Sequence, residues 1–382
     1  MPIYLDHNAT TPIAAEVLEA MLPFLREQYG NPSSNYALGH IAKDAVATAR
    51  GHVAALIGAA PDEIIFTSGG TEANNIAIRG SIEPNGGKRA IVTSTVEHPA
   101  TDDPCDLLAR DGYAVDRLNV GGDGRVDPAD ARRAMRNGAG LVTLIYAQNE
   151  TGVVQPVREI TAAARDHGAL MHVDAAQAVG KVAVDVRSLG VDLLSIAGHK
   201  LYAPKGIGVL YVRRGVRTQS VLRGAAQEAG RRPGTENVAS IVGLGEACRL
   251  AAIRLRQNDS ERMRGLTRDL FARLQRDVPG LVLTGHPTER LPNTLNVLFP
   301  GVSGRAVLEA CLQVMASTGS ACHADREEAS AILRAMGIPE RKALGAVRLS
   351  LGTSTTAREV EDAADALAEA WRKCVAAPAR AS

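Results

Sequence analysis

Two residues that could share chemistry stand at the ends of predicted strands. Asp174 follows the apolar run LMHV, and Gly198-His199-Lys200 follows DLLSIA. In an open α/β sheet, ligands bind outside the carboxyl ends of the strands. A carboxylate and an amine are therefore expected near each other at one edge of a sheet. They could form a buried salt bridge, but a lysine is rarely buried without a chemical task.

A glycine-rich turn and a histidine follow two other predicted strands. GGTEANN comes directly after EIIFTS, and His98 comes shortly after AIVTSTV. Gly70 and Thr71 would leave free backbone N–H groups at the positive end of a helix, which suits a phosphate. The alternative is an ordinary helix cap, with Thr71 at the N-cap and Glu72 and Asn74 in the first turn. The turn is neither a GxGxxG motif nor a P-loop.

One cofactor uses all of these groups. Pyridoxal phosphate needs a lysine for a Schiff base and an acid against its pyridinium nitrogen. It also needs a cup for its phosphate and a planar group over its ring. The sequence offers these four in Lys200, Asp174, the Gly70-Thr71 turn and His98.

Metal binding is the competing interpretation of the histidines. His98, His172 and His199 all lie near predicted strands, and His172 shares one strand face with Asp174. However, the sequence has neither the HxH nor the HExxH spacing of common metal sites. We therefore predict no metal.

The cysteines include one candidate nucleophile. They form an odd set without a CxxC pair, so neither a disulfide framework nor a zinc knuckle is expected. Cys322 stands among small residues in STGSACHADREE, at 317–328. It could be a nucleophile, a metal ligand or an ordinary thiol in a turn. The full set is Cys105, Cys248, Cys311, Cys322 and Cys374.

Around these residues the sequence alternates between short apolar runs and Ala-rich segments of helical period. This alternation predicts an α/β fold with a mainly parallel sheet. The last two strands are joined by only GHKLYAPKG, which is too short for a helical crossover and predicts an antiparallel pair. The predicted strands are EIIFTS (63–68), AIVTSTV (90–96), LVTLIYA (141–147), LMHVDA (170–175), DLLSIA (192–197) and IGVLYV (207–212).

The C-terminal third is predicted to form a smaller α+β domain. A long helix at about 241–278 is predicted to connect the two domains. It is followed by the strands LVLTG, TLNVLF and AVRLSLG and by helices at 304–315, at 326–336 and from 357. We predict a large domain at 14–255 and a small domain formed by 1–13 and 256–382.

The composition gives no sign of a nucleic-acid or membrane partner. The chain has 382 residues, is 45% hydrophobic and has a formal net charge of +1. This balance does not favour nucleic acid or an anionic membrane as a partner. No run approaches the roughly 18 apolar residues of a membrane span. The start MPIYLDHNATTP has no signal-peptide pattern, so we expect a cytoplasmic protein.

The chain resembles the cysteine desulfurases and selenocysteine lyases, which are pyridoxal-phosphate enzymes of the class V aminotransferase group. The resemblance implies fold type I, with a mainly parallel seven-stranded sheet in the large domain and a smaller α+β domain. It covers nearly the whole chain and rests on YLDHNATTP (4–12), GNPSS (30–34), IIFTSGGTEANN (64–75), EH (97–98), NETGVVQP (149–156), HVDAAQAVGK (172–181), GHKLYAPKGIGVLYVR (198–213), RRPGTEN (231–237), TGSAC (318–322) and VRLSLG (347–352).

The resemblance assigns cofactor contacts by position. Lys200 would form the Schiff base, Asp174 would pair with the pyridinium nitrogen, and Gln177 would bond the ring oxygen. His98 would stack on the ring. The phosphate would be held by Gly70, Thr71, His199 and, from the other subunit, Thr235, which implies a homodimer with shared active sites.

The resemblance also assigns the reaction. Asn149 and Arg348 would hold the substrate carboxylate, and Lys200 would remove the Cα proton. The Cys322 thiolate would attack the sulfur of L-cysteine, releasing alanine and leaving a persulfide for a sulfur-acceptor protein. His323 either lowers the pKa of that thiol or points to solvent.

Other functions stay open from the sequence. With L-selenocysteine as substrate, the chain would be a selenocysteine lyase. A class V aminotransferase or a kynureninase-like hydrolase would need no thiol, and a scaffold for sulfur transfer would need no catalysis.

One position departs from the family pattern. The family often has a serine that bonds the cofactor phosphate two residues before the His-Lys pair, where this chain has Ala197. Loss of that hydrogen bond is expected to cost about 0.5–1.5 kcal/mol of cofactor binding.

Overall fold

The computed structural model describes residues 2–318 and 328–376. Its strands are β1 Ile3–Tyr4, β2 Ile64–Thr67, β3 Ala90–Ser94, β4 Ala114–Leu118, β5 Leu141–Ile145, β6 Leu170–Asp174, β7 Leu193–Ala197, β8 Gly208–Val212, β9 Val282–Leu283, β10 Thr294–Leu298, β11 Val314–Met315 and β12 Ala346–Ser350. Its α-helices are α1 Ala15–Arg26, α2 Ala37–Ile57, α3 Gly70–Ser81, α4 Pro99–Arg110, α5 Pro128–Met135, α6 Val157–Asp166, α7 Val186–Leu189, α8 Val238–Arg256, α9 Asp259–Asp277, α10 Gly304–Ala310, α11 Ala331–Ala335, α12 Glu340–Ala343 and α13 Ala357–Ala376.

The central sheet has seven strands in the order β2-β8-β7-β6-β5-β3-β4. β8 runs antiparallel to both of its neighbours, and the remaining neighbours are parallel. The α/β class, the mainly parallel sheet and the antiparallel final pair are therefore confirmed. The strand that the apolar runs did not reveal is β4, whose side chains alternate between exposed and partly buried before the buried Leu118. An edge strand with one wet face lacks the continuous apolar run of a central strand.

Helices cover both faces of this sheet. Successive residues of β2 illustrate the arrangement, because Ile64 and Phe66 join one buried cluster and Ile65 joins another. Side chains alternate between the two faces of a strand, so a strand with helices on both sides must be apolar throughout. The first cluster includes residues of α1, α2, α6 and α8, and the second includes residues of α3 and α4.

A separate core joins the two ends of the chain. Leu5 is fully buried and belongs to the cluster that contains Leu270, Val360 and Leu367. The antiparallel sheet β12-β10-β9 contributes to the same cluster. On this packing we propose the predicted division into a large domain at 14–255 and a small domain of 1–13 and 256–382.

Three helix predictions were wrong in their extents. The helix predicted at 241–278 is two helices, because Asn258 adopts a left-handed conformation with φ of 59° between α8 and α9. The helix predicted at 304–315 ends at Ala310, since Val314–Met315 pairs with β1 as a strand. In the described part of the segment predicted at 326–336, the helix is only Ala331–Ala335, where the Ser330 hydroxyl caps its start.

The described part of the chain contains no helix that is both long enough and apolar enough to cross a membrane.

Candidate active site

A cavity of about 370 Å³ opens at the carboxyl ends of β5, β6 and β7. It brings together most of the residues predicted from the sequence, although they come from distant segments. Its lining consists of Asn8, Ala9, Gly70, Thr71, Asn74, His98, Ala100, Ile145, Asn149, Asp174, Ala176, Gln177, Ala197, His199, Lys200, Ser317 and Arg348.

Lys200 lies on the short 3-10 turn Gly198–Lys200 that follows β7. Its Nζ donates to the backbone carbonyls of Asn8 at 2.6 Å and Ala9 at 2.7 Å. Burial, with a further contribution from the nearby Arg348 guanidinium, lowers the Lys200 pKa to about 8. A larger fraction of this amine is therefore neutral near pH 8 than of an ordinary lysine, and a neutral amine can act as a base or nucleophile.

Asp174 ends β6 and is 5% exposed. Its Oδ2 accepts a hydrogen bond from Asn74 Nδ2 at 2.8 Å, and its Oδ1 accepts one from the Ala176 amide at 3.0 Å. The predicted alternative of an Asp174–Lys200 salt bridge is wrong, because the two side chains bond to different partners. Both line the cavity, which leaves each group available to a ligand there.

His98 is the N-cap residue of α4. Its Nδ1 accepts a hydrogen bond from the Ala100 amide at 3.0 Å, so a neutral ring carries its proton on Nε2. Burial lowers the pKa of His98, the nearby Asp174 charge partly opposes this, and the Lys200 charge lowers the pKa further. The ring is thus held as a neutral imidazole beside the cavity.

The GGTEANN turn forms the start of α3. The N-cap is Gly69 and the helix begins at Gly70, so the interpretation of Thr71 as N-cap is wrong. A Cβ placed on Gly70 would lie 3.3 Å from the Cβ of Ala197. Ala197 therefore faces the first turn of α3, where the backbone N–H groups of a helix favour an anion.

Two further predicted cofactor ligands lie on the same wall. The Gln177 side chain donates from Nε2 to the Asn8 carbonyl at 2.9 Å. The ring of His199 contacts the Thr10 hydroxyl at 3.1 Å, and burial lowers the pKa of His199 to about 4. His199 is therefore neutral at physiological pH and would act toward a phosphate as a hydrogen-bond donor rather than as a cation.

Arg348 reaches the cavity from β12 of the smaller sheet. Its Nη2 contacts Asp6 Oδ1 at 2.6 Å, and its Nη1 donates to the Asn149 carbonyl at 3.2 Å. The Nε atom is buried and has no hydrogen-bond partner among the described residues. A guanidinium with an unused donor at the cavity wall suits a carboxylate ligand.

Asn8 is a site residue to which the sequence analysis assigned no role. Its carbonyl accepts from both Lys200 and Gln177, and its side chain donates to Thr294 Oγ1 at 2.8 Å and the Asn149 carbonyl at 3.2 Å. The only available signal was its place within YLDHNATTP, since nothing in local periodicity brings residue 8 to residue 200.

His172 does not point to a metal site. Its two ring nitrogens contact the hydroxyls of Thr143 at 2.7 Å and Ser195 at 2.9 Å, and all three residues are fully buried. The described residues contain no group of three potential metal-ligating side chains. Ser195 is therefore engaged inside the sheet, away from the cavity that Ala197 lines.

Thr235 and Cys322 stand apart from the other predicted site residues. Thr235 is exposed and does not line the cavity. Cys322 lies outside the described residues, as does His323. The cysteines within the described part are ordinary thiols, because burial raises the pKa of each; they are Cys105, Cys248, Cys311 and Cys374.

Comparison with known proteins gives the family. The sequence model of the class-V aminotransferases matches residues 3–362. A cysteine desulfurase of Trichormus variabilis is 47% identical over 361 residues, which cover 94% of this chain and 90% of that protein. The chain belongs to the cysteine desulfurase family. A solved NifS-like protein has the same fold, with a TM-score of 0.90, 34% identity and coverage of 97% of this chain and 99% of the other.

A second solved relative is SspA, whose structure was determined in complex with cysteine. It is 32% identical with a TM-score of 0.81, and the match covers 92% of this chain and 99% of that one. Members of the cysteine desulfurase family use pyridoxal 5'-phosphate.

The cavity fits that cofactor. It has an amine, a carboxylate and a helix start on its walls, and its volume lies within the usual range for small-molecule sites. Two buried polar atoms of its lining, Asn74 Oδ1 and Arg348 Nε, have no partner among the described residues. Buried polar atoms normally have partners, so these two are consistent with a site completed by a cofactor and substrate.

Proposed function

We propose that this chain is a pyridoxal-phosphate-dependent cysteine desulfurase that releases L-alanine and keeps the substrate sulfur as a persulfide on Cys322. The observation that carries the proposal is the convergence of Lys200, Asp174 and Arg348 on one cavity. The high similarity to proteins named cysteine desulfurase supports the choice of L-cysteine as substrate.

The cofactor would be held by residues at the carboxyl ends of the central strands. Lys200 would bind it covalently, Asp174 would accept the pyridinium N–H, Gln177 would bond the ring oxygen, and His98 would lie over the ring. Gly70, Thr71 and His199 would hold the phosphate. When bound, pyridoxal phosphate supplies an electron sink for negative charge at the substrate Cα.

Once the substrate amine has replaced it on the cofactor, Lys200 is a free amine and is suited to take the Cα proton. A general base works best when its pKa is near the working pH, and burial brings the Lys200 pKa to about 8. The Asn8 and Ala9 carbonyls hold Nζ in place within the cavity. The amine therefore already lies inside the cavity, where it can accept the proton.

Arg348 and Asn149 would fix the substrate carboxylate. The Asp6 carboxylate and the Asn149 carbonyl hold two of the guanidinium nitrogens, so the planar group is already oriented. A carboxylate can then bond the remaining N–H donors with little further loss of side-chain entropy.

The sulfur step balances without an added oxidant. The Cys322 thiolate forms a bond to the substrate sulfur, and the substrate Cβ–S bond breaks. The electron pair of that bond remains on carbon, which takes up a proton, so alanine leaves and a persulfide remains on the enzyme. The neutral His98, with its proton on Nε2, is a suitable proton donor in this step.

Two partners complete the proposal. Thr235 is exposed and outside the cavity of its own chain, which supports a homodimer in which it reaches the phosphate of the other active site. The persulfide sulfur must then pass to an acceptor, since otherwise Cys322 would stay occupied after one turnover, and a sulfur-acceptor protein is the proposed partner.

The deciding experiment measures alanine release from L-cysteine and from L-selenocysteine, with dithiothreitol present to take the persulfide sulfur, for the native chain and for Cys322→Ala. We expect release from L-cysteine by the native chain and none by the variant, with Cys374→Ala as the matched control at native rate. Release from L-selenocysteine alone would identify a selenocysteine lyase. Full turnover of L-cysteine by Cys322→Ala would refute the proposed nucleophile.

A further inference from the structure

A second cavity lies at the amino-terminal edge of the central sheet. Its volume is about 730 Å³, and its walls include residues just before the parallel strands, such as Lys88 before β3, Gly140 before β5 and Asp192 before β7. The active-site cavity lies at the other ends of these strands. A five-residue strand spans about 17 Å, so the two cavities are separate. We call this one the amino-edge cavity.

Five basic side chains and two carboxylates line the amino-edge cavity, although the chain as a whole is nearly neutral; Arg213 and Arg214 are already paired with Asp192 and Asp62. Its basic lining residues are Lys88, Arg165, Arg187, Arg213 and Arg214. Its carboxylates are Glu63 and Asp192, and both are already engaged. Asp192 accepts from Arg213 Nε at 2.7 Å and from the Met171 amide at 2.8 Å. Glu63 accepts from the amides of Ala60 at 2.9 Å and Arg214 at 3.0 Å.

Three of these cations have no carboxylate partner among the described residues. Within residues 2–318 and 328–376, the side chains of Lys88 and Arg187 form no hydrogen bond or ion pair. The Arg165 side chain has a single hydrogen bond within that part of the chain, from Nη2 to the Gly190 carbonyl at 3.3 Å. Like charges gathered around a cavity repel one another, and an anion bound between them would relieve that repulsion.

The floor of the amino-edge cavity is built from buried side chains. Ile82, Val186 and Tyr211 give it an apolar surface. Thr161 is 3% exposed, and its hydroxyl has no hydrogen-bond partner among the described residues. Burial raises the pKa of Tyr211 to about 12, so its phenol stays a neutral hydrogen-bond donor. A ligand could contact the apolar surface and bond the Tyr211 hydroxyl.

We propose that the amino-edge cavity binds a nucleotide-sized organic phosphate. The phosphate would lie between Lys88, Arg165 and Arg187, because guanidinium and ammonium groups bind phosphate oxygens through charge-assisted hydrogen bonds. The organic part would cover Ile82 and Tyr211. The volume matches such a ligand, since small-molecule sites usually measure about 300–1,000 Å³. This site is independent of the desulfurase reaction.

The test is isothermal titration calorimetry on the cofactor-loaded protein, freed of excess pyridoxal phosphate. The probes are ADP and fructose 1,6-bisphosphate, with inorganic phosphate and adenosine as the two partial ligands. We expect one of the two organic phosphates to bind with one site per chain and at least about tenfold more tightly than either partial ligand. No binding of either organic phosphate at millimolar concentration would overturn the proposal. So would equal affinity for inorganic phosphate, since the floor would then contribute nothing.

The location is tested with variants that remove one exposed charge each. Lys88→Gln and Arg187→Gln should each weaken binding about tenfold, the loss expected for one charge-assisted hydrogen bond. Arg268→Gln is the matched control, because it removes an exposed charge from α9 outside the amino-edge cavity. Native affinity in both cavity variants, or an equal loss in the control, would overturn the assignment.

Discussion

The backbone carbonyl of Asn8 accepts a hydrogen bond from Lys200 Nζ at 2.6 Å. The two residues are 192 positions apart, and the Asn8 side chain is itself held by Lys181 Nζ at 2.9 Å and Thr294 Oγ1 at 2.8 Å. The N-terminal segment therefore positions the lysine that the sheet supplies. A residue near the N-terminus and a residue that follows β7 thus meet at the Lys200 amine.

Asn8→Ala tests this positioning role. The substitution removes the side-chain bonds but not the carbonyl, so Lys200 loses support rather than its acceptor. We expect kcat to fall about tenfold, and the free energy of unfolding to fall by about 1–3 kcal/mol because Lys181 loses a buried partner. Alanine release and urea denaturation measure the two effects. Asn137→Ala, an exposed asparagine, is the control. A native kcat in Asn8→Ala would show that the carbonyl needs no such support.

Lys200→Ala should abolish the proton transfer. Loss of a general base typically costs a factor of about 10²–10⁴, and loss of the covalent link to the cofactor adds to this. Alanine release and the absorbance spectrum of the bound cofactor are the measurements. Lys205→Ala, five residues away and exposed, should keep native values of both. Turnover by Lys200→Ala within tenfold of native would contradict the assigned role.

Arg348→Lys should weaken substrate binding more than catalysis. Lysine keeps the charge but lacks the planar fork that can hold a carboxylate through two bonds. We expect KM for L-cysteine to rise about tenfold, with a smaller change in kcat, in steady-state assays. Arg358→Lys is the control, since that side chain is 89% exposed. An unchanged KM in Arg348→Lys would place the substrate carboxylate elsewhere.

Glu97→Gln should change how stability depends on pH. Burial raises the pKa of Glu97 to about 8, while its Oε1 accepts a hydrogen bond from Ser94 Oγ at 2.5 Å. Because the folded-state pKa exceeds the unfolded one, the folded protein binds more protons between about pH 4.5 and pH 8. The stability associated with this group is thus present at low pH and is lost as the pH rises through 8.

A neutral glutamine should remove that loss. We expect Glu97→Gln to be more stable than the native chain at pH 8.5 by on the order of 2 kcal/mol, with the difference shrinking toward pH 5. Urea denaturation at several pH values measures it. Glu340→Gln, an exposed control, should show no such trend. A difference that is constant across pH would mean that Glu97 does not titrate in this range.

Ala197→Ser should strengthen cofactor binding. Ala197 faces Gly70 at the start of α3, and a hydroxyl there would add a hydrogen bond to a bound phosphate. One such bond is worth about 0.5–1.5 kcal/mol, which is roughly a 2- to 12-fold change in affinity. The rate of cofactor loss during dialysis against hydroxylamine measures it. Ser195→Ala is the comparison variant, because it removes the buried contact with His172 and leaves the lining of the cavity unchanged. Faster loss from Ala197→Ser would place the phosphate elsewhere.

Much of the fold was predictable because the central strands are covered on both faces. That burial requires continuous apolar runs, and six of the seven strands of the main sheet showed them. β4 did not, since as an edge strand it alternates between exposed and partly buried side chains. The break between α8 and α9 was also missed, because both helices continue the same helical pattern and only the backbone of Asn258 interrupts it.

The sequence by itself determined which groups end neighbouring strands, and hence that Asp174 and Lys200 would face one cavity. A parallel sheet brings the ends of its strands together, so local pattern was enough. Only the tertiary structure decided that Asn8 and Arg348 contact this cavity. Asn8 follows β1 and Arg348 lies in β12, and long-range packing brings both to the ends of the central strands. The tertiary structure also created the amino-edge cavity, whose cations are scattered from residue 88 to residue 214 and meet only when the strands align.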